Sequence, residues 1–187
     1  MFKNTMDKKC VFLDRDGVIN QSIVIKNKPF SPRCKKTFKF LPNVEKLIRK
    51  LKDYNFLFII ITNQPDISTG HISEDLLKYF HNKIRKKIPL TDIFICKHTS
   101  DENCLCRKPK PEMILEAAKK HNINLQKSYF VGDRWKDVDA SNEAGCYSIF
   151  IDYGYDEKLN TKPKNNVKSL SEAIDIIIDN ESRQKNG

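Results

Sequence analysis

The stretch Lys9-Cys10-Val11-Phe12-Leu13-Asp14-Arg15-Asp16-Gly17-Val18-Ile19-Asn20 decides how the chain is read. Its apolar run has the length of a strand. It delivers Asp14 to the strand's carboxyl end, the edge where open α/β sheets bind their ligands. Asp16 follows two residues later, and Gly17 lets the backbone turn sharply and approach a ligand closely. Two carboxylates at one strand tip suit a hard cation, and one can act as nucleophile while the other transfers protons. Alone, Asp-x-Asp-Gly also reads as a polar turn. The surrounding sequence separates the two readings.

The 187 residues are enough for one domain with a sizeable core. The longest strongly apolar stretch, Phe56 to Ile61, is far too short to span a bilayer. Met1 to Asp7 carry no signal-peptide apolar region. The expectation is a cytoplasmic, monomeric protein with no membrane partner. The formal net charge of +10 could attract nucleic acid or phosphorylated compounds, but the lysines are scattered along the sequence, so a nucleic-acid partner is not expected.

Short apolar runs alternate with amphipathic stretches. Strands are expected at about 9–14, 56–62, 92–96, 127–132 and 146–151, and helices at about 43–54, 73–88, 111–121, 136–145 and 170–180. Ser73 is a natural N-cap with Glu74 and Asp75 behind it, and Pro111 opens the next helix. This order predicts an α/β fold with a doubly wound, mostly parallel five-stranded sheet, one domain over 1–187 and no large cap domain. Residues 181–187 are polar and expected to fray. Segments 20–39 and 97–110 lack periodicity, and long irregular loops in compact domains are often functional.

Other strand ends carry matching chemistry. Thr62-Asn63-Gln64 closes the second strand, where Thr62 can donate to an anion and Asn63 can orient a neighbour. Gly132-Asp133-Arg134 closes the fourth, with Asp137 one helical turn later, either facing the same edge or complementing the helix dipole. Asp14, Asp16 and Asp133 would converge, and three carboxylates repel one another unless a cation neutralises them. Mg²⁺ fits, because it takes oxygen ligands and bridges to phosphates. Arg107 and Lys108 supply the positive groups that a phosphate needs.

Cys96-Lys97-His98 and Cys104-Leu105-Cys106 bring together three thiols and an imidazole, the ligand set of a closed structural zinc site. Buried free thiols or a redox pair would also account for these cysteines. The zinc loop would end at Cys106, so that the metal fixes the backbone from which Arg107 and Lys108 project.

Asp14-Arg15-Asp16-Gly17-Val18-Ile19-Asn20, Thr62-Asn63-Gln64, Lys108 and Gly132-Asp133-Arg134 with Asp137 resemble the four ordered motifs of the haloacid dehalogenase superfamily of phosphatases. The likeness covers roughly residues 9–151. The cluster Cys-x-His, Cys-x-Cys-Arg-Lys-Pro resembles the branch containing the D,D-heptose 1,7-bisphosphate phosphatases and the histidinol-phosphatase domain. The resemblance implies that Asp14 is the nucleophile and Asp16 the acid and base. Thr62 and Lys108 would stabilise the phosphoryl group. Mg²⁺ would be held by Asp14, the Asp16 backbone carbonyl and Asp133. Zn²⁺ would be held by Cys96, His98, Cys104 and Cys106. Asn63, Gln64, Arg107 and Arg134 would bind substrate.

The substrate implied is a small phosphorylated sugar, foremost the 7-phosphate of D-glycero-D-manno-heptose 1,7-bisphosphate. Histidinol phosphate and a polynucleotide 3′-phosphate are alternatives. Segment 21–39 lacks the His-Gly-Tyr-Val stretch of the heptose enzymes, and Thr69 stands where many relatives have arginine.

Overall fold

The computed structural model describes residues 8–185, so Met1 to Asp7 and residues 186–187 lie outside it. The chain runs β1 (Lys9–Leu13), β2 (Ile23–Ile25), β3 (Lys28–Phe30), α1 (Val44–Arg49), β4 (Phe56–Asn63), α2 (Glu74–Lys87), β5 (Asp92–Cys96), α3 (Glu112–His121), β6 (Tyr129–Gly132), α4 (Trp135–Ala144), β7 (Tyr147–Ile151), β8 (Asn165–Val167) and α5 (Leu170–Lys185). Six strands form one parallel sheet in the order β5-β4-β1-β6-β7-β8.

Alternation along β1 and β4 splits the core between the two sheet faces. Val11, Leu13, Phe58 and Ile60 pack with Ile48, Phe80, Ile84 and Ile174, so α1, α2 and α5 cover one face. Cys10, Phe12, Ile59 and Ile61 pack with Met113, Ile114, Ala117 and Ala140, so α3 and α4 cover the other. The chain leaves β1 for β4 on one side and later continues from β6 on the other. The strand order therefore switches direction between β1 and β6, where a crevice opens at the carboxyl ends. Among the described residues no cap domain covers that edge, and no helix is long and apolar enough to cross a membrane.

Several expectations change. The sheet has six strands, not five. The expected irregular segment 20–39 contains a hairpin in which β2 and β3 pair antiparallel. Its turn residues Lys26 and Asn27 have φ of 48° and 59°, the left-handed pair of a tight hairpin turn. The helix expected to reach 54 ends at Arg49 and gives way to a 3₁₀ turn at Lys52–Tyr54. The tail expected to fray from 181 is helical to Lys185. Glu181 is buried there, paired with Lys9 and accepting from the Tyr129 hydroxyl at 3.2 Å.

Candidate active site

Asp14 follows β1, Thr62 and Asn63 end β4, and Asp133 follows β6, so parallel pairing brings all of them to one edge. Asp14, Asp133 and Asp137 offer carboxylate oxygens within 4.8 Å of one another, and all three are buried. Lys108 is buried among them. Its Nζ lies 2.9 Å from Asp14 Oδ1 and 2.6 Å from Asp137 Oδ1, and donates to Ile61 O at 2.8 Å. One cation thus faces three carboxylates. Among the described residues neither oxygen of Asp133 has a hydrogen-bond partner in acceptable geometry. An orphaned buried carboxylate is costly. A divalent cation between Asp14 and Asp133 would remove both the orphan and the charge imbalance, so these residues fit such a site.

The titration behaviour follows. Burial raises Asp14 to about 6. The attraction of Lys108 opposes that rise, and Asp137 and Asp16 add to it. Burial, then the charges of Asp14 and Asp137, hold Asp133 well above the usual carboxylate range. Burial works against the charge on Lys108, but Asp137 and Asp14 outweigh it and raise its pKa. For the Lys108–Asp14 pair, attraction should lower Asp14. Desolvation dominates because Asp14 is shut away from water and also faces two like charges.

Gly17 sits at φ +87°, and a Cβ there would lie 1.9 Å from Asp133 Oδ2. The glycine therefore lets the loop after β1 close onto Asp133. The Tyr153 hydroxyl donates to Gly17 O at 3.0 Å and closes the other side.

Asp16 is held differently. The fully buried Arg15 donates to both its oxygens, at 2.8–3.1 Å. Asn20 donates to Oδ1 at 2.7 Å, and Ser31 and Gln64 donate to Oδ2 at 2.7 and 2.9 Å. Burial would raise its pKa, but the Arg15 charge and these hydrogen bonds outweigh it and lower it. In this state Asp16 is an ionised acceptor.

A cavity of about 170 Å³ opens over these groups, lined by Asp14, Asp16, Thr62, Lys108, Asp133 and Asp137 at its floor. Ser22, Pro29, Phe30 and Ser31 of the hairpin region form part of its wall, with Arg107, Arg134 and Lys136 among the other lining residues. Among the residues expected to touch substrate, Asn63, Arg107 and Arg134 line the cavity and Gln64 does not. Three of them also make contacts within the fold. Asn63 donates to Lys108 O at 3.0 Å and accepts from Lys108 N at 3.1 Å, so its amide clamps the lysine's backbone. Gln64 is fully buried and bridges Asp16 to the Thr62 hydroxyl, which accepts at 2.9 Å. Arg134 lines the cavity but its guanidinium pairs with Glu157. Arg15, Ser31 and Lys136 were not anticipated. Arg15 stood in plain view between the two aspartates, but nothing in its spacing showed that it folds back onto Asp16.

The expected thiol and imidazole ligands also converge. Cys96 Sγ lies 3.6 Å from His98 Nδ1 and 3.6 Å from Cys104 Sγ, His98 Nδ1 lies 3.3 Å from Cys106 Sγ, and the Cys104 and Cys106 sulfurs are 3.5 Å apart. Ordinary zinc bond lengths in a tetrahedron place sulfur and nitrogen ligands ~3.5–3.8 Å apart. The four residues therefore fit a tetrahedral metal site. Burial, then the neighbouring Cys96 and Cys104, push the Cys106 thiol up to about 12, so a cation among these sulfurs would favour its thiolate. The loop is tied to the active edge. Gln64 N donates to Cys96 O at 2.6 Å, Arg107 Nη1 to His98 O at 2.9 Å, and Lys110 Nζ to Cys104 O at 2.7 Å.

A buried aspartate triad around a lysine, at the switch point of a parallel sheet, defines the class as a phosphoryl-transfer hydrolase. The HAD-hydrolase-like family model matches residues 105–173. The chain is 34% identical over 165 residues to the D-glycero-beta-D-manno-heptose-1,7-bisphosphate 7-phosphatase of Helicobacter pylori, covering 85% of this chain and 82% of that one. It is 33% identical over 183 residues to the D-glycero-alpha-D-manno-heptose-1,7-bisphosphate 7-phosphatase of Photorhabdus laumondii, covering 89% and 97%. It is 32% identical over 149 residues to the bifunctional histidine biosynthesis protein HisB of Campylobacter jejuni, of which it spans 42%. The crystal structure of the B. bronchiseptica D,D-heptose 1,7-bisphosphate phosphatase, complexed with magnesium and phosphate, superimposes with a TM-score of 0.78. At 24% identity, over 92% of this chain and 99% of that one, that likeness speaks for the fold. The chain belongs to the haloacid dehalogenase-like hydrolases and is a phosphatase acting on phosphomonoesters. Within that family it is similar to the heptose bisphosphate phosphatases and to the phosphatase part of HisB.

Proposed function

We propose that this phosphatase is Mg²⁺-dependent and removes the 7-phosphate of D-glycero-D-manno-heptose 1,7-bisphosphate. The observation that carries the substrate is the extent of likeness: heptose enzymes match over 82–97% of their own length, HisB over 42%. The cavity supports it. Arg107 and Lys136 line it, and among the described residues neither forms a salt bridge with a carboxylate, which suits a substrate with a second phosphate. The experiment is phosphate release from both heptose bisphosphate anomers, histidinol phosphate, fructose bisphosphate and a 3′-phosphorylated oligonucleotide. Preference for a heptose anomer supports the reading; preference for histidinol phosphate or the oligonucleotide overturns it.

In the proposed reaction, Asp14 attacks phosphorus, the bond to the sugar oxygen breaks, and an aspartyl phosphate forms. Asp16 gives a proton to the leaving oxygen. It then takes one from the water that attacks the aspartyl phosphate and releases inorganic phosphate. The bound phosphoryl dianion beside Asp16 raises its pKa and helps it carry that proton. Lys108 and Thr62 stabilise the charge that develops on the phosphoryl oxygens. Mg²⁺, when held by Asp14, the Asp16 carbonyl and Asp133, supplies further neutralisation of that charge.

Metal binding needs Asp14 ionised. Its folded pKa of about 6 exceeds the ordinary 3.8, so the metal-free fold binds the extra proton and loses stability as pH rises through that window. Mg²⁺ offsets that loss. The rise in melting temperature on adding Mg²⁺ should be full above pH 7 and shrink as pH falls through 6, as read by calorimetry. A Mg²⁺ shift unchanged down to pH 5 would count against Asp14 as a ligand.

We propose Zn²⁺ for the Cys96, His98, Cys104 and Cys106 site, where it holds the loop whose next residues are Arg107 and Lys108. Removing zinc with Mg²⁺ kept saturating should lower kcat by about tenfold to a hundredfold, the scale of lost support around a ligand-bearing loop. Full activity in a protein shown to be zinc-free by elemental analysis would remove the positioning role.

A further inference from the structure

Lysines are scattered along the sequence, but the +10 excess is not. Residues 33–50 hold seven Lys or Arg and one carboxylate, and residues 83–87 hold four cations and none. The rest of the chain is balanced, so these two stretches carry the whole excess. They meet on one side of the molecule. Lys35 Nζ lies 4.6 Å from the Tyr79 ring centre, and Lys83 Nζ lies 5.7 Å from Tyr79 and 6.0 Å from Phe38. Glu45 of α1 pairs with Lys87 of α2 at 2.8 Å and with Arg49 at 3.2 Å.

Three of the eleven cations have carboxylate partners elsewhere: Arg33 with Asp66, Lys50 with Asp175 and Arg85 with Asp92. The other eight, with Lys36, Lys46 and Lys86 exposed among them, share one carboxylate partner among the described residues, Glu45. Between α1 and the end of α2 lies a groove of about 540 Å³, lined by Phe40, Leu41 and Val44 and by Lys46, Arg49 and Lys87, the last two paired with Glu45 in the same lining.

We infer that this face is a docking surface for an anionic phospholipid bilayer. A dense set of cations with few counter-charges seeks a polyanion. Seven of the eight are lysines, compact hydrated charges suited to a diffuse headgroup layer; nucleic-acid readers favour arginine and free aromatic faces. Here the Tyr79 ring lies beneath Lys35 and Lys83. The mixed apolar and cationic lining matches an amphiphile, not a sugar-phosphate backbone. The surface lies on the α1 and α2 layer, on the sheet face opposite α3 and α4.

The test is co-sedimentation of the full chain with vesicles of phosphatidylcholine alone and of phosphatidylcholine mixed with phosphatidylglycerol. Binding to the mixed vesicles only, lost at high salt, is the expected result. Each neutralised lysine should weaken it about fivefold, so the Lys36→Gln, Lys46→Gln, Lys86→Gln triple variant should bind roughly a hundredfold less. Its hydrolysis of a soluble aryl phosphate should be unchanged. Neutralising Lys119 and Lys158, exposed elsewhere, should cost far less. Absence of vesicle binding, equal loss in the control variant, or cation-dependent binding to duplex DNA without vesicle binding would each overturn the inference.

Discussion

Asp14→Asn should abolish turnover, by about 10⁴-fold or more in kcat, with the fold intact. The change removes the attacking oxygen, and single nucleophile deletions cost on this scale because the remaining machinery has nothing to act on. It should not unfold the protein. Asparagine fills the same space, can still accept from Arg15 N as Asp14 Oδ1 does at 2.7 Å, and relieves repulsion with Asp137 and Asp133. The metal-free variant should therefore melt at or above the wild-type temperature. Turnover within tenfold of wild type would refute the nucleophile assignment.

Lys108→Ala should lose both activity and stability. Its ammonium is the cation paired directly with Asp14 and Asp137, beside Asp133, and all three carboxylates are buried. Removing one partner from a buried ionic group costs about 3–5 kcal/mol, because the remaining charges have neither water nor a counter-ion. Saturating Mg²⁺ should return part of that stability, since a cation bound by Asp14 and Asp133 takes over some neutralisation. Activity should not return, because loss of one charge-stabilising donor costs about 10²–10³ in kcat. Denaturant melts with and without Mg²⁺, beside steady-state kinetics, separate the two effects. A variant as stable as wild type without Mg²⁺ would show that the triad is not under the strain described.

Much of the fold was legible because the central strands are short apolar runs punctuated by polar residues. Leu13 to Asp14, Ile61 to Thr62 and Gly132 to Asp133 each mark a strand end in sequence. What escaped lacks that contrast. β8 is Asn165-Asn166-Val167, three residues whose only signal is one valine. The β2–β3 hairpin carries Pro29 in one strand, which argues against a strand unless it lies at an edge, and here it does. The last turns of α5 look like a polar tail until Glu181 is seen beneath Lys9, 172 residues away in sequence.

The site divides in the same way. Residues that project directly from strand ends could be named. What their neighbours do with them could not, because those contacts cross the chain. Ser31 reaches Asp16 over 15 residues, Gln64 over 48, and Asn63 reaches Lys108 over 45. Asn63 and Gln64 read as substrate contacts because they stand at the active edge; in the fold Asn63 lines the cavity and also holds the Lys108 backbone, and Gln64 holds Asp16 and Thr62.

The most direct test of the account is to trap the phosphoryl group. Wild-type enzyme mixed with Mg²⁺ and heptose bisphosphate, quenched in acid within the first turnovers and digested, should yield a phosphate adduct on the peptide carrying Asp14. Hydroxylamine should remove it, as it does acyl phosphates. A phosphate adduct on another residue, or turnover that persists with no adduct at any time after mixing, would contradict it.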